Sequence, residues 1–195
     1  MILVVIAMEE EAKVILQHPL PHVKVILSGV GKVNAASSLT EAIMRHQVTK
    51  ILNLGFAGAY GDFQVGDVIL VKRATYHDFD LSLFGYSKGQ VPGYPIWYEF
   101  DQRWGLENFH LWKTADLKTG DYFQTEHYES PCLYDMEATA LFQIAHRFQV
   151  PMISIKVVSD LIGTPNHFDS YREFEAGEGA KRLYEVYQEL LGGTS

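Results

Sequence analysis

The run Ile2-Leu3-Val4-Val5-Ile6 contains no polar residue. A strand with one face in water alternates polar and apolar side chains, whereas an unbroken and mostly β-branched run belongs to a strand covered on both faces. Such strands sit in sheets with helices packed on either side. The run is also short, lacks a basic leader and meets Glu9-Glu10-Glu11 almost at once, so it reads neither as a signal peptide nor as a membrane span.

The rest of the chain repeats this alternation. A helix is expected over residues 9–17, a strand over 23–27, and a second helix to about 46, entered through Ser28-Gly29-Val30-Gly31. That Gly-x-Gly lacks the third glycine of a dinucleotide fingerprint and is no Walker loop, so it reads as a tight strand-to-helix turn and calls for no cofactor. A strand over 50–54 leads into Gly55-Phe56-Ala57-Gly58-Ala59, a small-residue turn where a ligand can approach the backbone at Ala57 and Gly58. A long strand over 68–76 precedes an aromatic-dense irregular stretch, expected mostly in core or subunit interface. Another strand over 113–117 follows. An extended segment then turns at Tyr134-Asp135-Met136-Glu137 into a helix reaching 148, and a buried strand over 151–158 ends in Ser159-Asp160. A closing helix is expected over 171–191. This order predicts an α/β three-layer sandwich with a central mixed, mostly parallel sheet, formed by one domain over residues 1–195.

Charge and cysteine content narrow the partners. With 24 acidic against 16 basic residues the formal charge is −8, which disfavours nucleic acid and anionic membrane and favours a small-molecule partner. Cys132 is the single cysteine, so a reducing compartment, the cytoplasm, is expected. His77, Asp78 and Asp80 imitate a metal cluster but lack a second ligand pair at metal-site spacing, so no metal is expected.

In such folds ligands gather at the carboxyl ends of strands. Glu11, Glu137 and Asp160 each stand just beyond an expected strand end, beside the glycine-lined turn. Taken singly, Asp135 and Glu137 are ordinary helix-start acids. Three acids together point to glycosyl chemistry, in which one carboxylic acid protonates a leaving group and another carboxylate activates water.

The chain resembles the bacterial 5'-methylthioadenosine/S-adenosylhomocysteine nucleosidases, members of the purine nucleoside phosphorylase-like superfamily. The matching stretches include Ala7-Met8-Glu9-Glu10-Glu11, Val65-Gly66-Asp67-Val68, Tyr76-His77-Asp78, Gly89-Gln90-Val91-Pro92-Gly93, Met136-Glu137-Ala138-Thr139-Ala140 and Val158-Ser159-Asp160, in family order along nearly the whole chain. The resemblance implies hydrolysis of the N-glycosidic bond of an adenine nucleoside. It implies that Asp160, supported by Ser159, protonates adenine N7, that Glu11 activates water, and that Glu137 holds the ribose hydroxyls above Met136. It places Phe123 on the base with Gln124 beside it, and Met8, Val30 and Tyr171 around the 5'-substituent. It further implies a homodimer in which Phe84 and Pro92 of one subunit complete the pocket of the other. Asp135 keeps a structural, helix-start role.

Several positions depart from the family. Phe56 replaces a serine and Lys156 an arginine, both on the water side, and Gln124 stands where an aliphatic residue is common. The stretches 12–27 and 101–118 are short for the family. Three alternatives therefore stay open: a phosphorylase, a non-catalytic adenine-nucleoside-binding module, and a hydrolase with altered preference, for instance toward futalosine or aminodeoxyfutalosine.

Overall fold

The computed structural model describes residues 1–106, 109–126 and 130–193; residues 107 and 108, within the stretch expected to be short, lie outside these. The elements follow the expected alternation: β1 (Ile2–Ile6), α1 (Glu9–Gln17), β2 (Val23–Leu27), α2 (Lys32–Arg45), β3 (Lys50–Tyr60), β4 (Val68–Tyr76), β5 (Tyr98–Glu99), β6 (Thr114–Thr119), β7 (Cys132–Asp135), α3 (Ala138–Phe148), β8 (Met152–Leu161), α4 (His167–Ala176) and α5 (Gly179–Leu191).

The double coverage that β1 predicted is realised side chain by side chain. Leu3 and Val5 join a core with Ala35, Leu39, Leu141 and Phe142 of α2 and α3. Val4 and Ile6 point the other way, into a core with Ile15 of α1 and Leu183, Val186 and Tyr187 of α5. Burying one such side chain contributes about 1.5–3 kcal/mol, so an unbroken apolar run is stable only with helices on both sides.

The sheet is mixed and mostly parallel. Parallel pairs join β1 to β2 and β3, β3 to β8, β4 to β6, and β6 to β7; antiparallel pairs join β3 to β7, β4 to β5, and β4 to β8. Because β8 pairs with both β3 and β4, the sheet does not stay an open layer: β3, β7, β6, β4 and β8 close on themselves, and β2 and β1 extend from β3.

Two expectations are corrected. Residues 55–59 are not a turn but the middle of β3, which runs on to Tyr60 alongside an equally extended β8, so Ser159 and Asp160 lie inside a strand. Continuous pairing between these two strands overrides the local turn preference of small residues. The closing helix over 171–191 is two helices, α4 and α5, broken at Gly177. The expected aromatic stretch divides: Tyr98 and Trp104 are buried, whereas Leu83 and Phe84 stand out in a 3₁₀ turn at 97% and 77% exposure. Among the described residues no helix is long and apolar enough to cross a membrane.

The helix break has a packing reason. The Phe56 ring leaves β3 toward the α4–α5 junction, where it meets Phe174 edge to face at 5.3 Å between centroids. It fills the space a Cβ on Gly179 would need, and the Phe174 carbonyl oxygen is 2.9 Å from that same point. Gly179→Ala is expected to destabilise the fold by about 1–3 kcal/mol through overpacking. In a Phe56→Ser background the part of that increment due to the ring should vanish, leaving the part due to the Phe174 carbonyl. Urea denaturation of the double-mutant cycle checks this, and an undiminished increment would show that Phe56 is not the obstacle.

Candidate active site

A cavity opens where the ends of β1, β7 and β8 meet the middle of β3. It is lined by Met8 and Glu11 from the start of α1, Val30 from the turn after β2, and Ala57 and Gly58 from β3. Phe123 and Gln124 follow β6, Met136 and Glu137 follow β7, Ser159 and Asp160 lie near the end of β8, and Tyr171 comes from α4. Phe84 and Pro92 are exposed and absent from its lining.

Each acid is held by a backbone device. Glu11 is 3% exposed; its Oε2 accepts from the Met8 amide (3.1 Å), a reach-back that caps α1, while Oε1 accepts from the Phe56 amide of β3 (2.7 Å). Burial raises its pKa, opposed by the charge of Lys156 and by these amides. Glu137 accepts from the Gly31 amide at 2.8 Å. Gly31 has φ +93°, a left-handed conformation suited to glycine, and this aims its N–H away from α2 toward the carboxylate. Burial and the neighbouring Asp135 charge push Glu137 up to about 7, against the pull of Lys156.

Asp160 owes its position to a bulge. Ala57 pairs with Val158 and Gly58 with Asp160, so Ser159 is the extra residue on β8, and the kink turns Asp160 into the cavity. The Ser159 hydroxyl donates to Asp160 Oδ1 at 2.7 Å. Oδ2 is buried and has no hydrogen-bond partner among the described residues. A Cβ on Gly58 would stand 2.9 Å from this oxygen, so the glycine keeps its space open. Burial raises the Asp160 pKa, with the Ser159 bond and the nearby His167 opposing. A buried carboxyl favoured in its neutral form can serve as an acid near neutral pH.

Around Asp160 lies an aromatic wall. Phe123 is 39% exposed and its ring lies parallel to His167 at 5.3 Å, with Phe168 and Tyr171 meeting it edge on. Gln124 donates its amide to the Glu126 carbonyl, leaving Oε1 buried without a partner among the described residues.

Sequence reasoning missed part of the cavity floor. Asp135 does cap α3 as expected, accepting from the Ala138 amide at 2.9 Å, but it also lines the cavity and forms an ion pair with Lys156 at 2.8 Å. Their side chains are 1% and 2% exposed. The available signal was Lys156 itself, a cation inside an apolar strand that must find a buried anion. Burial would depress the Lys156 pKa, yet Asp135, Glu137 and Glu11 together raise it. The metal look-alike is otherwise engaged: Asp78 pairs with Lys32 at 2.6 Å and accepts from the Asp121 amide, and His77 Nδ1 meets the Tyr122 hydroxyl at 3.0 Å.

Because the Asp160 pKa is raised on folding, the folded chain holds this proton where the unfolded chain has lost it. Stability from this group is therefore fullest below about 3.8 and declines as pH rises toward the folded value. Asp160→Asn should raise the thermal midpoint relative to wild type more at pH 8 than at pH 4.5. A larger gain at pH 4.5 in thermal denaturation would show that the site favours the ionised acid.

Comparison with known proteins places the fold. The phosphorylase superfamily model matches residues 21–126 and 122–191. The 5'-methylthioadenosine/S-adenosylhomocysteine nucleosidases of Bacillus thuringiensis strain Al Hakam and Bacillus cytotoxicus are each 32% identical over 184 residues, covering 84% of this chain and 79% of theirs. An adenine-bound structure from Borrelia burgdorferi B31 superposes with TM-score 0.86 at 26% identity, covering 98% of this chain and 99% of the other. The Streptococcus pneumoniae nucleosidase with a transition-state inhibitor gives TM-score 0.84 at 26% identity, covering 100% and 99%.

Proposed function

The chain belongs to the 5'-methylthioadenosine/S-adenosylhomocysteine nucleosidase family of the phosphorylase superfamily, and from that premise we propose that it hydrolyses methylthioadenosine, S-adenosylhomocysteine or a related nucleoside to free adenine and a 5-thio-substituted ribose. The observation that carries this reading is Asp160: a buried acid with one oxygen taken by Ser159 and the other unpaired among the described residues, in a cavity shared with Glu11 and Glu137.

In this mechanism the base lies against Phe123, and Asp160 gives the proton on Oδ2 to N7, so that adenine leaves as a neutral molecule. As the glycosidic bond breaks, the sugar takes on oxocarbenium character above Met136 while Glu137 holds its hydroxyls. Glu11 takes a proton from water as the oxygen attacks C1'. Met8, Val30 and Tyr171 face the 5'-substituent, and Gln124 lies beside the base.

Hydrolysis is favoured over phosphorolysis because no arginine or lysine lines the cavity among the described residues, and Lys156 beneath it is paired with Asp135. The Phe56 ring packs against Phe174, while its amide still holds Glu11, which favours catalysis over mere binding. The exposed Leu83 and Phe84 support a homodimer in which Phe84 and Pro92 of one subunit reach the other's pocket. The single cysteine, the buried Cys132, suits the cytoplasm.

Purified protein incubated with methylthioadenosine in phosphate-free buffer should release adenine, with no acceleration by added phosphate, and should sediment as a dimer. Asp160→Asn should slow release by about 100-fold or more. Saturable binding without release would contradict the hydrolase reading for this substrate, and a wild-type rate in the mutant would contradict the role of Asp160.

A further inference from the structure

Lys156 lies in the middle of β8 at 2% exposure, and three carboxylates face it: Glu11 from α1, Asp135 from β7 and Glu137 ahead of α3. Further out, Tyr76 on β4 faces Asp135, Asp160 on β8 has His167 beside it, and the Tyr171 hydroxyl on α4, which donates to Glu175, faces Glu11 and Asp160. One ammonium serves three acids. Its contact is with Asp135, at 2.8 Å.

Asp135 is held at both oxygens. Its Oδ1 accepts from the Thr119 hydroxyl at 2.5 Å and its Oδ2 from the Ala138 amide at 2.9 Å. Thr119 is itself fixed, since its oxygen accepts from the amide and the hydroxyl of Thr139, at 3.0 and 2.8 Å. Glu11 and Glu137 instead hang on the amides of Phe56, Met8 and Gly31. A Cβ on Gly55 would stand 3.0 Å from Glu11 Oε1 and 3.3 Å from Lys156 Nζ. The glycine thus leaves the gap through which cation and glutamate face each other.

We infer that Asp135 is a positioning residue for hydrolysis: it anchors the Lys156 ammonium between Glu11 and Glu137, so that this one cation governs which glutamate carries a proton. The inference rests on the nucleosidase reading for its consequence, since Glu11 must be ionised to accept a proton from water while the sugar turns cationic. A lysine lacks the two-pronged geometry of the family's arginine and would otherwise drift among three anions. Asp135 removes that freedom.

The charge of Asp135, rather than its capping bond, then sets the acidic limb of the kcat/KM profile. Asp135→Asn should move that limb down by about one pH unit, because the remaining acids lose a negative neighbour and regain the cation. Thr119→Val, which loosens the anchor but keeps the charge, should move the limb the same way but by only a few tenths of a unit. Titration of Glu137 by carboxyl-carbon NMR, assigned with Glu137→Gln, should show the same downward shift in Asp135→Asn without any substrate. If wild type released no adenine the functional reading would fail, yet the NMR titration would still decide this inference. If Asp135→Asn does not fold, Lys156→Gln carries the test and should move Glu137 upward. An unmoved limb and titration in Asp135→Asn, or an unmoved titration in Lys156→Gln, would reduce Asp135 to a helix cap and overturn the proposal.

Discussion

Burying charge beneath a cavity is the constraint on which the rest of this structure turns. Glu11, Asp135, Glu137, Lys156 and Asp160 are all less than a tenth exposed. Taking such groups from water costs several kcal/mol each unless partners replace the solvent. The partners come from distant elements: amides of β3 and of the turn before α2, a hydroxyl of β6, and the lysine of β8. Closure of β3, β7, β6, β4 and β8 brings them together, since β8 pairs with both β3 and β4 while β7 and β6 link the same two strands on the other side. Asp160 Oδ2, a buried carboxyl oxygen without a partner among the described residues, is where the proposed chemistry needs a donor.

The same economy explains the departures on the water side. Phe56 keeps the backbone bond that its position supplies and sends its ring into the junction of α4 and α5, where Gly179 makes room. Lys156 keeps the positive charge and depends on Asp135 for direction. Each of these two residues is thus accommodated by a neighbour from a distant element.

Much of the layout was legible in the sequence because hydrophobic periodicity carries it. The run over residues 2–6 foretold two-sided burial, and Leu3 and Val4 do enter opposite cores. Glu11, Glu137 and Asp160 were placed near strand ends by position and by family motif, and they share one cavity. Illegible were features that depend on pairing between remote strands. Gly55-Phe56-Ala57-Gly58 has the composition of a turn, and only its pairing with residues 156–160 makes it strand. The bulge that turns Asp160 inward is likewise a property of two strands together. The pairing of Lys156 with Asp135 spans elements whose approach no local pattern encodes.

The central claim is that Asp160 presents a proton to the base of a bound nucleoside. A crystal structure of the complex with adenine tests it most directly. One face of the base should lie on Phe123, with N7 within about 2.6–3.2 Å of Asp160 Oδ2. A base bound elsewhere, or with N7 turned away from Asp160, would contradict it.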